Sequence, residues 1–125
     1  MRRVILMSLA IVSSNALAEW REVGEDATHK ITTYADPTTI RKAGNRVQMW
    51  HLFYLKATTE AYRSLKVQSE YDCIQKQSRS LYTSAYQGNM GNGKVVGIES
   101  DPGDWKPIPL GSPKEYLFYI ACGRQ

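Results

Sequence analysis

Two cysteines, Cys73 and Cys122, lie 49 positions apart in a chain of 125 residues, and whether they pair decides how its last third can be arranged. The start of the chain bears on that question. Arg2 and Arg3 precede the apolar run Val4 to Val12, and Ala16-Leu17-Ala18 stands just before Glu19. This is the order of a secretory signal peptide: a basic start, a short apolar middle and small residues at the cut. Residues 1–18 are therefore expected to be a leader and residues 19–125 the exported mature domain. Outside the cytoplasm the compartment is oxidising, so two cysteines in a small exported domain read as one bridge. Closing a loop of this length stabilises a fold by about 4 kcal/mol in the chain-entropy treatment, comparable to a small domain's whole margin.

The apolar run is too short to cross a bilayer, and no later segment approaches the required length. No cysteine follows the small residues at the cut, so neither a membrane span nor a lipid anchor is expected. Loss of Arg2 and Arg3 reduces the 16 basic residues to 14 against 12 acidic ones. So mild an excess does not point to nucleic acid, whose binders concentrate basic charge on one face.

Strand patterns dominate the mature chain. Residues 19–23 and 30–35 read as two short strands, and Asp36-Pro37 places a capping residue before a proline, so one helical turn is expected over 36–41. Residues 46–56 carry apolar side chains on both alternating sets, which marks a strand at the centre of the sheet. Leu65, Val67, Tyr71 and Cys73 alternate with Lys66, Gln68, Glu70 and Asp72, a strand with one wet face. Residues 79–86 read as its hairpin partner after a turn over 76–78, and a glycine-rich loop leads to a further strand over 94–100. Pro107, Pro109 and Gly111 predict an irregular connector. Ser112, Pro113 and Glu115 form an S-x-x-E helix start with proline at the first position, and Gly123 supplies the stop. The expected fold is α+β: an antiparallel meander sheet of about five to six strands, with a C-terminal helix packed on it and tethered by the Cys73–Cys122 disulfide.

Several chemical motifs fail on inspection. The run from Gly88 to Lys94 resembles a phosphate cradle, but a P-loop needs G-x-x-x-x-G-K-[ST] and a following helix, whereas Val95 opens a strand pattern. Asp101 and Asp104 supply too few oxygens for calcium, and turn chemistry accounts for them. His51 falls inside the central strand and reads as a packed, hydrogen-bonded imidazole, and His29 begins a strand among polar residues. There is no G-x-S-x-G, no H-E-x-x-H and no spare thiol, so no enzyme, metal or cofactor is expected. Tyr62, Arg63 and Lys66, with Lys76 and Arg79 across the turn, place aromatic and basic groups along the wet side of a strand. These residue types suit contact with an acidic or matrix-type protein surface.

Five segments in order, "YADPTTIRKAGNRVQMW", "YRSLKVQSEYDC", "GNMGNGKVV", "SDPGDWKPIPLGS" and "IACG", resemble the surface-adhesin protein E family of Gram-negative bacteria. The resemblance spans essentially the whole mature chain. It implies an antiparallel sheet with a C-terminal helix tied to it by the disulfide, and a non-enzymatic protein-binding role. The family's best-known member is an adhesin whose ligands include vitronectin and laminin, bound through the basic segment before the first cysteine, and the resemblance implies the matching residues Tyr62, Arg63 and Lys66 for such binding here. The expected location is outside the cytoplasm, either periplasmic or at the cell surface or secreted. The alternative function is a periplasmic structural or envelope-maintenance protein. A hollow between helix and sheet would add small-ligand carriage as a further reading. The residues specify no oligomeric state.

Overall fold

The computed structural model describes residues 18–57 and 61–123, so the leader expected over residues 1–18 lies, Ala18 apart, outside the described residues. Six strands follow one another as an antiparallel meander: β1 (Arg21–Asp26), β2 (Ile31–Ala43), β3 (Arg46–Leu55), β4 (Ser64–Asp72), β5 (Gln77–Tyr86) and β6 (Val95–Glu99). A seventh strand of two residues, β7 (Lys106–Pro107), pairs with Gln77 and Ser78 on the edge of β5 that β6 leaves free. One helix, α1 (Pro113–Cys122), closes the chain. Among the described residues no helix is long and apolar enough to cross a membrane.

The period-2 alternation of β3 sorts its side chains between two faces. Val47, Met49 and His51 point to the side that α1 covers, and the register carries that side across to Ala35 on β2 and to Val67, Ser69 and Tyr71 on β4. Leu117, Phe118 and Ala121 of α1 meet Ala35, Val47, Met49 and Tyr71 in one buried cluster. Phe118 presents its edge to Tyr71, ring centroids 6.3 Å apart. Full burial of a leucine or phenylalanine side chain contributes about 1.5–3 kcal/mol, so these residues are what makes the helix stay. Cys73, just past β4, bonds to Cys122 in the last turn of α1 with the Cα atoms 5.7 Å apart, inside the span a disulfide bridges without moving the backbone.

Four local expectations give way to tertiary structure. Residues 36–41 do not form a helical turn; β2 runs through them as a strand with a bulge, and the ladder to β3 resumes at Arg41. Asp36 Oδ1 accepts the Thr38 N–H and the Thr38 hydroxyl, and the Thr39 hydroxyl donates to the Asp36 carbonyl while accepting the Trp50 N–H at 3.0 Å. The aspartate and threonines thus satisfy the backbone groups the bulge leaves out, and the proline sits where no donor is required. At the helix start, Ser112 makes no side-chain cap; its hydroxyl donates to Pro109 O, and Glu115 instead accepts the Gly111 N–H at 2.9 Å. The proline-rich connector is not wholly irregular, since Lys106 and Pro107 add to the sheet at an edge, where proline is tolerated. The turn between β4 and β5 also comes slightly earlier than expected, over residues 73–76, with Lys76 in the left-handed region.

The bridge clasps α1 to β4 across a loop with a separation of 49 residues. Replacing both cysteines by alanine should lower the unfolding free energy by about 4 kcal/mol, read as a lower urea midpoint together with a steeper slope, because the unlinked unfolded chain exposes more surface.

Candidate functional site

The sheet face turned away from α1 carries the concentration of aromatic and cationic groups. On β3 the alternation places Gln48 and Trp50 there; on β4 Lys66, Gln68 and Glu70; on β5 Tyr82 and Tyr86, with Arg79 brought to the same side by a bulge that sets Gln68 opposite Tyr82 but Ser69 opposite Ser80. The register sets Lys66 opposite Ser84 and Leu52, with Trp50 and Tyr86 as its diagonal neighbours. Side chains two positions away on the next strand remain within reach of long or aromatic groups. The Lys66 ammonium accordingly lies 5.7 Å from the centre of the Trp50 ring and 5.6 Å from that of Tyr86. Trp50 in turn meets Tyr82 edge-on at 5.8 Å. Rings placed this way hold a lysine against the sheet electrostatically while leaving it in contact with water.

A second cluster lies further down the same face. Arg79 donates through its Nε to Glu70 Oε1 at 3.0 Å, and its terminal nitrogen lies 2.8 Å from the same oxygen. The Arg79 guanidinium also sits 4.6 Å from the centre of the Trp105 ring, with Arg46 at 5.1 Å from it. Trp105 comes from the proline-rich segment, which β7 secures to the edge of β5. Between the clusters Gln68 donates to Gln48 across the strands at 3.3 Å. The far end of the face is covered by the glycine-rich loop. Gly91 packs its backbone 3.5 Å from Leu52 when measured from the position a Cβ would take, and its N–H donates to the Ser64 hydroxyl, which donates to Gly88 O. A side chain at Gly88 would stand 2.8 Å from the Asn92 carbonyl, so only glycine closes this loop.

The five residues singled out in the sequence are dispersed over this frame. Lys66 and Arg79 share the open face, about 13 Å apart along the strands at 3.3 Å per residue. Arg63 stands exposed just before β4, where its N–H donates to Tyr86 O at 2.8 Å, and the alternation sets it on the other pleat from Lys66. Tyr62 beside it is partly buried. Lys76 is exposed in the turn at the opposite end of β4, about 30 Å from Arg63 by the same rise. Sequence reasoning did not single out Trp50, Tyr82, Tyr86, Arg46 or Trp105. Alternation already grouped Trp50 with Gln48 and Tyr82 with Tyr86; the inter-strand register that brings the groups together was not readable.

The helix-bearing side holds a different feature. Beyond the reach of α1, the sheet, the proline-rich segment and the start of the helix enclose a hollow of about 390 Å³ lined by His51, Phe53, Leu65, Val67, Pro107, Pro109 and Lys114 among others. His51 is 4% exposed, and its ring meets Phe53 edge-on at 5.0 Å. It is packed as expected but not hydrogen-bonded as expected, for Nδ1 finds no partner among the described residues. Burial, reinforced by the nearby Lys114 charge, pushes the imidazole down to about 3, so it is neutral at physiological pH.

The sequence model of the surface-adhesin protein E family matches residues 20–123. Solved structures of Haemophilus influenzae protein E share the fold. A selenomethionine form superposes with a TM-score of 0.61 at 12% identity, covering 87% of this chain and 89% of that one. The protein from a non-typeable strain gives 0.59 at 12% identity, covering 87% and 78%. A second crystal form gives 0.57 at 15% identity, covering 72% and 79%. No curated protein sequence matches.

The buried imidazole has a pH consequence. Its folded pKa lies below the unfolded value of about 6.5, so the unfolded chain binds the proton first, and stability is present above that value and lost as pH falls towards 3. At pH 5 the loss should approach about 2 kcal/mol. Urea titrations at pH 7 and pH 5 should show it, and His51→Gln should flatten this part of the dependence.

Proposed function

This chain belongs to the surface-adhesin protein E family, and on that premise we propose that it works as an exported, non-enzymatic module that binds a protein ligand of extracellular-matrix type through the sheet face opposite α1. The reading rests on one observation: that face holds Lys66 against Trp50 and Tyr86, and Arg79 and Arg46 against Trp105. Tryptophan, tyrosine and arginine contribute most where protein surfaces meet, because they offer large contact area at low ordering cost. Their mutual contacts hold them in place before a ligand arrives, which reduces the entropy lost on binding. Arg63 and Tyr62 form one margin of the docking surface and Lys76 the other. The mature module begins at Glu19 and acts at the cell surface. Retention in the periplasm would instead favour the structural, envelope-maintenance role, and protease applied to intact cells separates the two locations.

A second reading is supported by the hollow beside α1. Its volume of about 390 Å³ falls within the range of small-molecule pockets, and the unpartnered His51 Nδ1 in its lining gives it polar character. Carriage of a small molecule bearing both apolar and polar groups would use that space, whose lining includes Asp104, Lys106 and Lys114 beside Phe53 and Leu65, and leave the open face free.

Saturable binding of the purified mature protein to immobilised vitronectin or laminin is the expected result. Combining Lys66→Glu with Arg63→Glu should weaken it at least tenfold without altering the circular dichroism spectrum. Absence of saturable binding, or binding that survives the double charge reversal, would overturn the proposal.

A further inference from the structure

Asp36 presents a problem in physical chemistry. Its side chain belongs to a residue only 2% exposed, yet among the described residues no lysine, arginine or histidine is paired with it. A buried carboxylate without a cation is costly, even where hydrogen bonds satisfy its oxygens. One oxygen is occupied by Thr38 through both its N–H and its hydroxyl. The other, Oδ2, accepts the backbone N–H of Glu19 at 3.0 Å.

Glu19 is the residue that follows Ala16-Leu17-Ala18. We infer that Asp36 is a receptor for the α-ammonium group created on Glu19 when the leader is cut away, so that processing installs an ion pair that the precursor lacks. In the uncut chain the Glu19 nitrogen is a neutral amide with a single proton. Hydrolysis of the Ala18–Glu19 bond, catalysed by the exporting cell's signal peptidase, consumes one water and leaves a carboxylate on Ala18 and an amine on Glu19. That amine, with an ordinary pKa of about 7.7–8.0, takes up a proton at neutral pH. The same nitrogen, already within hydrogen-bonding distance of Oδ2, becomes a cation, and a charge-assisted bond replaces a neutral one.

Register makes the position specific. Arg21 pairs with Ala35 in the antiparallel ladder of β1 and β2, so the chain two residues earlier passes beside Asp36. A cut one residue to either side would move the ammonium by about 3.8 Å and lose the contact. The bulge at residues 36–41 turns the carboxylate towards β1 while β2 continues. The pair would fasten the outer strand β1, against which α1 also packs: Pro113 lies 3.7 Å from the position a Cβ would take on Gly24. This inference is independent of what the open sheet face binds.

The test uses the protein recovered from its exported form. Intact mass should place the N-terminus at Glu19, and an amine-acetylating reagent near neutral pH should modify the Glu19 amine at least tenfold more slowly than the terminal amine of a chain carrying one extra alanine. Nα-acetylation of the mature protein should lower Tm by about 5 °C, and the same modification should change Tm little in Asp36→Asn. A start other than Glu19, equal reactivity of the two amines, or an equal acetylation effect in both backgrounds would overturn the inference. If Asp36→Asn does not fold, the reactivity comparison decides alone, because it uses only the wild-type aspartate.

Discussion

The clasp between Cys73 and Cys122 is the constraint on which the arrangement depends. A meander sheet of this size needs cover on one face, yet α1 supplies few buried side chains: Leu117, Phe118 and Ala121. Such a short helix is marginal by itself in water. The covalent bond ties its last turn to the end of β4, so that the helix lies over Val47, Met49 and Tyr71 and not elsewhere on the sheet. The proline-rich segment between β6 and α1 is then stretched along the outer edge of β5, and that path carries Trp105 to the open face. The disulfide on one side of the sheet therefore sets the composition of the surface on the other.

The two faces divide the physical roles. The covered face is apolar near the helix and grades into a hollow beside the helix start, with a neutral imidazole in its lining. The open face is neither apolar nor simply solvated. Its cations are held against rings, and its buried acid, Glu70, is matched by Arg79. Such contacts fix side chains that would otherwise be mobile, a property suited to recognition more than to stability, since partly exposed ion pairs contribute little to folding.

The edges complete the picture. β1 is fastened at its start by the Asp36 carboxylate and along its length by β2, while β6 forms the other edge with Val95, Val96 and Ile98 exposed. The glycine-rich loop before β6 turns the chain and also covers Leu52, a residue with no exposure at all. A segment that reads only as a turn thus closes one end of the open face.

Much of this was legible in the residues. Period-2 alternation in β3 and β4 is local, so it survived folding intact, whereas a bulge in β5 shifts it and turns Arg79 to the side of Tyr82; proline at the start of the closing helical run with glycine after it marked α1 correctly. The cysteines could pair in only one way. What the sequence misread was the run after Asp36, where local capping chemistry favours a helical turn but pairing with β3 outweighs it, the same aspartate and threonines serving a bulge instead. The basic groups were read along one strand, and so the rings beside them on neighbouring strands were not seen. Which residues face one way is decided by backbone geometry that every strand shares. Which of them become neighbours is decided by inter-strand register and by the path of the connector, and both depend on contacts between positions distant in the chain.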